Sequence, residues 1–206
     1  YFFILLFIGA MSGLVLSADV VLLYLFWELV GVCSAMLISY WWEKPEARRA
    51  GLKAFTVTRV GDVGFLLAIA LIVQSLGSTR IPEVLEGLQR DATLSRIVGL
   101  LLVVAAAGKS AQFPLLVWLP DAMEGPTSVS ALIHAATMVK AGVYLISRFY
   151  SALTPETLSA LFWIALVTAL MSALSALSSS DLKRVLAFST INHLALMFLA
   201  LGAGAW

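Results

Sequence analysis

Charge, cysteine and histidine are scarce in this chain of 206 residues, and each scarcity excludes something. Cys33 is the one cysteine and lies among apolar residues, so neither a disulfide framework nor a thiolate metal cluster is available, and the redox compartment stays open. The sequence has no Gly-rich phosphate loop, no HExxH zinc signature and no pair of histidines placed as haem ligands. It therefore offers no cofactor-binding site and no metal site of its own. A net charge of +1 supplies no basic surface for nucleic acid. There is no basic-apolar-small signal peptide and no initiating Met, and the closing "MFLALGAGAW" is still apolar, as expected of a piece of a longer protein.

What is present is apolar. Hydrophobic residues make up 61% of the chain against 12% charged, the composition of a polytopic membrane protein. A hydrocarbon core of about 30 Å needs about 20 apolar helical residues. Seven segments approach or meet that length: 2–17, 20–42, 55–76, 97–119, 127–149, 157–179 and 182–204. These are long continuous runs, not short alternating ones, so a closed barrel is excluded and the class is an all-α membrane bundle with the lipid bilayer as its surroundings. Asp19 punctuates the first turn, and "WWEKPEARRAGLK" reads as a polar connector. In the longest connector Ile81, Val84, Leu85 and Leu88 recur at helical spacing among charges, the pattern of a short helix on the membrane surface. Lys44, Arg48, Arg49, Lys53, Lys183 and Arg184 sort to one side of the membrane and Arg80, Arg90, Arg96 and Arg148 to the other, which makes the first side cytoplasmic.

The remaining charges fall inside the spans, where one basic group costs from about 3 to above 10 kcal/mol. At about 1.5 Å per residue, Glu28 lies about 12 Å into its segment, Lys109 about 18 Å, His134 about 10 Å and Lys140 about 20 Å. Glu28 and Lys109 have no opposite charge one turn away in their own helices, so the economical arrangement pairs them across helices. Arg59 and Asp62 are spaced i, i+3 and can pair within one helix, with Asp62 also a candidate entrance beside Glu28. His134 and Lys140 are six residues apart, about 240° around a regular helix, and are expected to face different neighbours. Lys183 and His193 are secondary candidates: Lys183 also suits snorkelling to the interface and His193 a hydrogen-bonded core histidine. Structural ion pairing is the competing account of the four deep charges.

Pro114, Pro120 and Pro126 each lack a backbone donor and break or stop a helix. Broken backbone at membrane depth survives only when buried in protein or lining a wet cavity. Such breaks mark ion sites in transporters, and Lys109 lies just before this one. Lysine is a poor ligand for a metal cation but suits a proton relay, because burial and a nearby carboxylate move its proton affinity in opposite directions. H⁺ is therefore the expected cargo, with water as its other carrier.

Four stretches then carry a resemblance: "LFWELVGVCSAMLI", "KAFTVTRVGDVGF", "GKSAQFPLLVWLPDAMEGPTSVSALIHAATMVKAGVYLISR" and "SSDLKRVLAFSTINHLALMFLALG". Together they resemble the antiporter-like membrane subunits of respiratory complex I, above all the large distal L or chain 5 type. Relatives in deazaflavin-dependent dehydrogenases and Mrp-type sodium/proton antiporters share them. The resemblance implies a fold of about fourteen core helices with two inverted five-helix repeats. The first repeat would cover about 1–149, and about 150–206 would begin the second. By motif it implies that Glu28, Asp62, Lys109 and His134 belong to a proton half-channel and a hydrated central axis. It also implies other membrane subunits as partners, with NADH or a related donor, flavin, iron-sulfur clusters and quinone housed in them. The setting would be a bacterial or archaeal cell membrane or an organelle inner membrane.

Two departures leave the subfamily open. By the resemblance, Lys140 stands where some large distal subunits carry threonine and Mrp-type and archaeal-like relatives lysine, and "STINHLALM" replaces the more usual S-Q-x-G-Y-M. Three functions follow: a proton-translocating subunit of a redox-driven quinone oxidoreductase, a subunit of a cation/proton antiporter or other ion-coupled transporter, or a purely structural membrane subunit.

Overall fold

The computed structural model describes residues 1–205, the side chains of Ala135 and Ala136 excepted. The chain runs α1 (Phe2–Leu16), α2 (Val20–Ile38), α3 (Pro45–Leu76), α4 (Ile81–Arg90), α5 (Ala92–Lys109), α6 (Thr127–Ala131), α7 (Ala141–Phe149), α8 (Pro155–Leu177) and α9 (Leu182–Gly202). Among the described residues six spans are long and apolar enough to cross a membrane, one of them Thr127–Ala152, and α1 is a shorter apolar helix. The expected all-α membrane bundle is what forms.

Local signals set many of the ends. Asp19, Asp91 and Asp181 cap α2, α5 and α9 by accepting hydrogen bonds from first-turn backbone N–H groups, and Thr154 does the same for α8. Pro45, Pro82 and Pro155 sit in first turns, where a missing N–H costs nothing. Gly77 ends α3 with φ +67°, a left-handed conformation that glycine adopts freely. In α4, Ile81, Val84 and Leu88 pack inward while the charged face looks out, as its spacing foretold.

Three boundaries differ from expectation. Residues 45–54 are not a connector but the first turns of α3, which Pro45 starts as N1. The 97–119 segment stops at Lys109, because Ala111 takes φ +50° and Pro114 follows; two short 3₁₀ turns, Leu115–Trp118 and Asp121–Glu124, carry the chain onward. The 127–149 segment is not one helix. A π-helical turn at Leu132–Ala136, Thr137 at φ −128°, ψ −93° and a 3₁₀ turn at Met138–Lys140 separate α6 from α7.

The two ends of the bundle sort as the arginines and lysines foretold. At one, Asp121 contacts Lys53 at 2.6 Å and Arg184 at 3.7 Å. At the other, Arg148 donates to the Ser17 carbonyl at 2.8 Å and Asp19 accepts from Thr79. Between them lie two apolar clusters. One gathers Trp27, Phe65 and Leu102, the other Val30, Trp118 and Ile133.

Candidate functional site

Small residues allow the close crossing that builds the site. A Cβ on Gly61 would stand 2.9 Å from the Gly108 Cα, and one on Gly64 would stand 2.9 Å from the Leu101 carbonyl, so α3 and α5 touch backbone to backbone. That contact brings Asp62 of α3 against Lys109, the last residue of α5, with Nζ to Oδ2 at 3.6 Å. Both side chains are essentially inaccessible, at 1% and 0% exposure.

The four charges form an alternating row. Glu28 of α2 is ion-paired with Arg59 of α3, Arg59 reaches Asp62 one turn along at 3.9 Å, and Asp62 faces Lys109. The expected Glu28–Lys109 pair is not made. Arg59 occupies the carboxylate of Glu28, and the part of α2 that faces Lys109 is Gly31, where an added Cβ would lie 2.8 Å from Nζ. Glu28 therefore reaches the lysine only through Arg59 and Asp62. The anticipated Arg59–Asp62 contact is present, but as the middle link of the row. Trp27 adds two contacts: its indole N–H donates to Asp62 Oδ1 at 2.5 Å, and its ring lies 5.2 Å from the Lys109 ammonium.

Arg59 and Trp27 are the site residues that sequence reasoning underused. The i, i+3 spacing predicts only an intrahelical partner for Arg59, and Trp27 stands beside Glu28 in "FWELVG". The row runs from the chain's flank, where Arg59 and Glu28 keep 30% and 19% side-chain exposure, into a fully enclosed interior. Glu28 Oε1, Asp62 Oδ2 and Lys109 Nζ have no hydrogen bond, a costly condition at such burial unless their charges compensate.

Beyond Lys109 the broken backbone is held by specific bonds. Pro114 cannot donate to the Ser110 carbonyl, and the Gln112 side-chain amide does so instead at 2.9 Å. The Ser110 hydroxyl donates to the Val139 carbonyl at 2.6 Å, linking the end of α5 to the turn before Lys140. The Trp118 indole donates to the Gly108 carbonyl at 3.0 Å. Pro114 and Pro120 thus bracket the first 3₁₀ turn at the break, as proposed from sequence.

His134 and Lys140, expected to face different neighbours, both reach one cavity. The angle of about 240° presumes a regular helix, and the π-helical and 3₁₀ turns between them change the rotation per residue. The cavity, of about 390 Å³, is also lined by Lys183 and His193 of α9. His134 is buried at 5% exposure, and neither ring nitrogen has a hydrogen-bond partner. The Thr137 hydroxyl donates to the Leu132 carbonyl at 2.6 Å, across the π-helical turn. Lys183 donates to the Met123 carbonyl at 3.4 Å, which places it at the cavity rim. His193 is exposed on that rim, not a core histidine, with Nδ1 2.7 Å from the Ser189 carbonyl.

Residues 17–206 match the family described as NADH:quinone oxidoreductase/Mrp antiporter, TM. The chain belongs to this family. Among curated members it is 46% identical to NAD(P)H-quinone oxidoreductase subunit 5, chloroplastic, of Adiantum capillus-veneris, over 100% of this chain and 30% of that protein. It is 46% identical to NAD(P)H-quinone oxidoreductase chain 5 of Synechocystis sp., over 100% of this chain and 32% of the other. It thus spans about a third of the length of these relatives. Among solved structures, the Mrp complex from Dietzia sp. superposes with a TM-score of 0.92 at 40% identity, covering 97% of this chain and 22% of that one. The archaeal membrane-bound sulfane sulfur reductase superposes with a TM-score of 0.90 at 26% identity, covering 97% and 42%.

Proposed function

We propose that this family member carries protons within the membrane, as part of a subunit of a redox-driven NAD(P)H:quinone oxidoreductase. The observation that carries the reading is Lys109, a lysine with no exposed surface at a helix break, whose ion-pair partner Asp62 belongs to a charge row reaching Glu28. An ammonium so placed is stable only while its neighbours compensate it, so a shift in the row is translated into proton release or capture. Glu28, Arg59, Asp62 and Lys109 form the charge row; Ser110 and the π-helical turn connect it to the cavity where His134 and Lys140 pass the proton on. A cavity of about 390 Å³ with histidine, lysine and hydroxyl groups on its walls has room for bridging water. Asp62 is a link in the row, and Lys183 and His193 are rim groups.

In this reading residues 1–149 are the first inverted repeat and 150–206 open the second. Other membrane subunits are the partners, and NADH or a related donor, flavin, iron-sulfur clusters and quinone reside there. A second reading, a subunit of an Mrp-type cation/proton antiporter, is supported by the superposition on the Dietzia Mrp complex.

The test uses the full-length subunit in its assembled complex, in inverted membrane vesicles with a pH-sensitive dye. Glu28→Gln keeps shape and loses charge, and it lowers donor-driven proton uptake without loss of assembly. Lys109→Met lowers uptake by about tenfold or more, because the buried proton site itself is gone. Parent uptake in both assembled variants refutes the relay. Sodium-dependent proton exchange without any electron donor selects the antiporter reading.

A further inference from the structure

The two oxygens of Asp62 are used differently. Oδ1 accepts the Trp27 indole N–H at 2.5 Å, while Oδ2 faces Lys109 at 3.6 Å and Arg59 at 3.9 Å. Trp27 has no exposed surface and is wedged edge-on against Phe65, with ring centroids 5.4 Å apart, so its N–H has one available direction. The same ring presents its π face to the Lys109 ammonium, 5.2 Å from the centroid. One rigid side chain thus touches both members of the deepest ion pair in the row. It holds the anion by hydrogen bonding and the cation by its quadrupole.

We infer that Trp27 is a positioning residue of the relay, which fixes Asp62 so that only Oδ2 can respond to Lys109 and thereby sets how readily that pair exchanges its proton. This rests on the proton-relay reading above and adds to it a residue that is itself never protonated or deprotonated. Among the described residues, the charged and titratable groups around the Asp62–Lys109 pair are Glu28 and Tyr24 on α2 and Arg59 on α3. Without the indole, Asp62 can rotate and offer both oxygens to Arg59 and Lys109. A carboxylate held by a directional N–H donor would become one held by charge alone.

Trp27→Phe keeps an aromatic face toward the lysine and removes the N–H together with the pyrrole ring; Trp27→Leu removes the aromatic face as well. A hydrogen bond to a charged group alters an equilibrium by about tenfold or more, so the pH profile of donor-driven proton uptake in Trp27→Phe is displaced by about one pH unit. The displacement is read in fully assembled complex. Trp27→Leu is displaced from the parent as well, and its maximal uptake falls further than that of Trp27→Phe. A Trp27→Phe profile that superimposes on the parent overturns the inference, and so does a uniform fall in uptake with no change of profile, which is the mark of a merely structural aromatic. Should Trp27→Leu fail to assemble, Trp27→Phe alone decides. If Lys109→Met and Glu28→Gln leave uptake at the parent rate, the relay reading itself has failed; if they abolish uptake while Trp27→Phe matches the parent, only the role of Trp27 has.

Discussion

Gly31→Ala separates the stability of the fold from the working of the charge row. In a helix interior alanine is favoured over glycine by about 1 kcal/mol, so on propensity alone α2 tightens. The new Cβ would stand 2.8 Å from Lys109 Nζ and 3.4 Å from Arg59 Nη2. The atom that must move is the far end of a flexible side chain, so the fold yields cheaply. The ammonium retreats by several tenths of an ångström, and the Asp62–Lys109 separation opens from 3.6 Å to about 4.4 Å. At an effective dielectric constant of about 20, the Coulomb attraction drops from about 4.6 to about 3.8 kcal/mol. That loss of about 0.8 kcal/mol is about fourfold in an equilibrium constant. The expected result is an assembled complex with an apparent melting temperature no lower than the parent's and a changed rate of proton uptake, measured in inverted vesicles over a range of pH. Parent uptake at every pH, with the alanine methyl seen against Nζ at high resolution, would refute the claim that the position of Lys109 matters to the row.

Two other substitutions probe separate links. At Lys140, Met keeps length and bulk and removes the proton site, while Arg keeps the charge but cannot release it. Both are expected to lose uptake, and a Lys140→Arg complex that pumps normally would make Lys140 a fixed field-shaping charge. Asp19, outside the spans, is pushed up by burial, but hydrogen bonds from Thr79 and from the Leu22 and Val21 backbone together hold it below its ordinary value. With the folded-state value depressed, its ionised cap stabilises above the unfolded value and that contribution is lost as pH falls through the folded one. The gap in apparent melting temperature between parent and Asp19→Ala, a cap worth about 0.5–2 kcal/mol, is therefore expected to narrow below about pH 4. A gap that stays constant as the pH is taken well below that value contradicts the assignment.

Long apolar runs, capping aspartates, first-turn prolines and the spacing of Ile81, Val84 and Leu88 are local signals, and local physics was enough for the class, for most of the helices and for the inward face of α4. The same holds for which charges lie deep, since a lysine or glutamate surrounded in sequence by apolar residues has nowhere else to go. Pairing was not legible in this way. Glu28 meets Arg59 and Lys109 meets Asp62 because Gly61, Gly64 and Gly108 let α3 approach α5 while Gly31 leaves room on α2, a register between helices that no single helix encodes. Nor could periodicity place His134 relative to Lys140, since a period of about 3.6 residues holds only where every turn is α-helical. The π-helical turn at Leu132–Ala136 and the 3₁₀ turn after Thr137 bring both side chains onto one cavity, a rotation that tertiary packing decided.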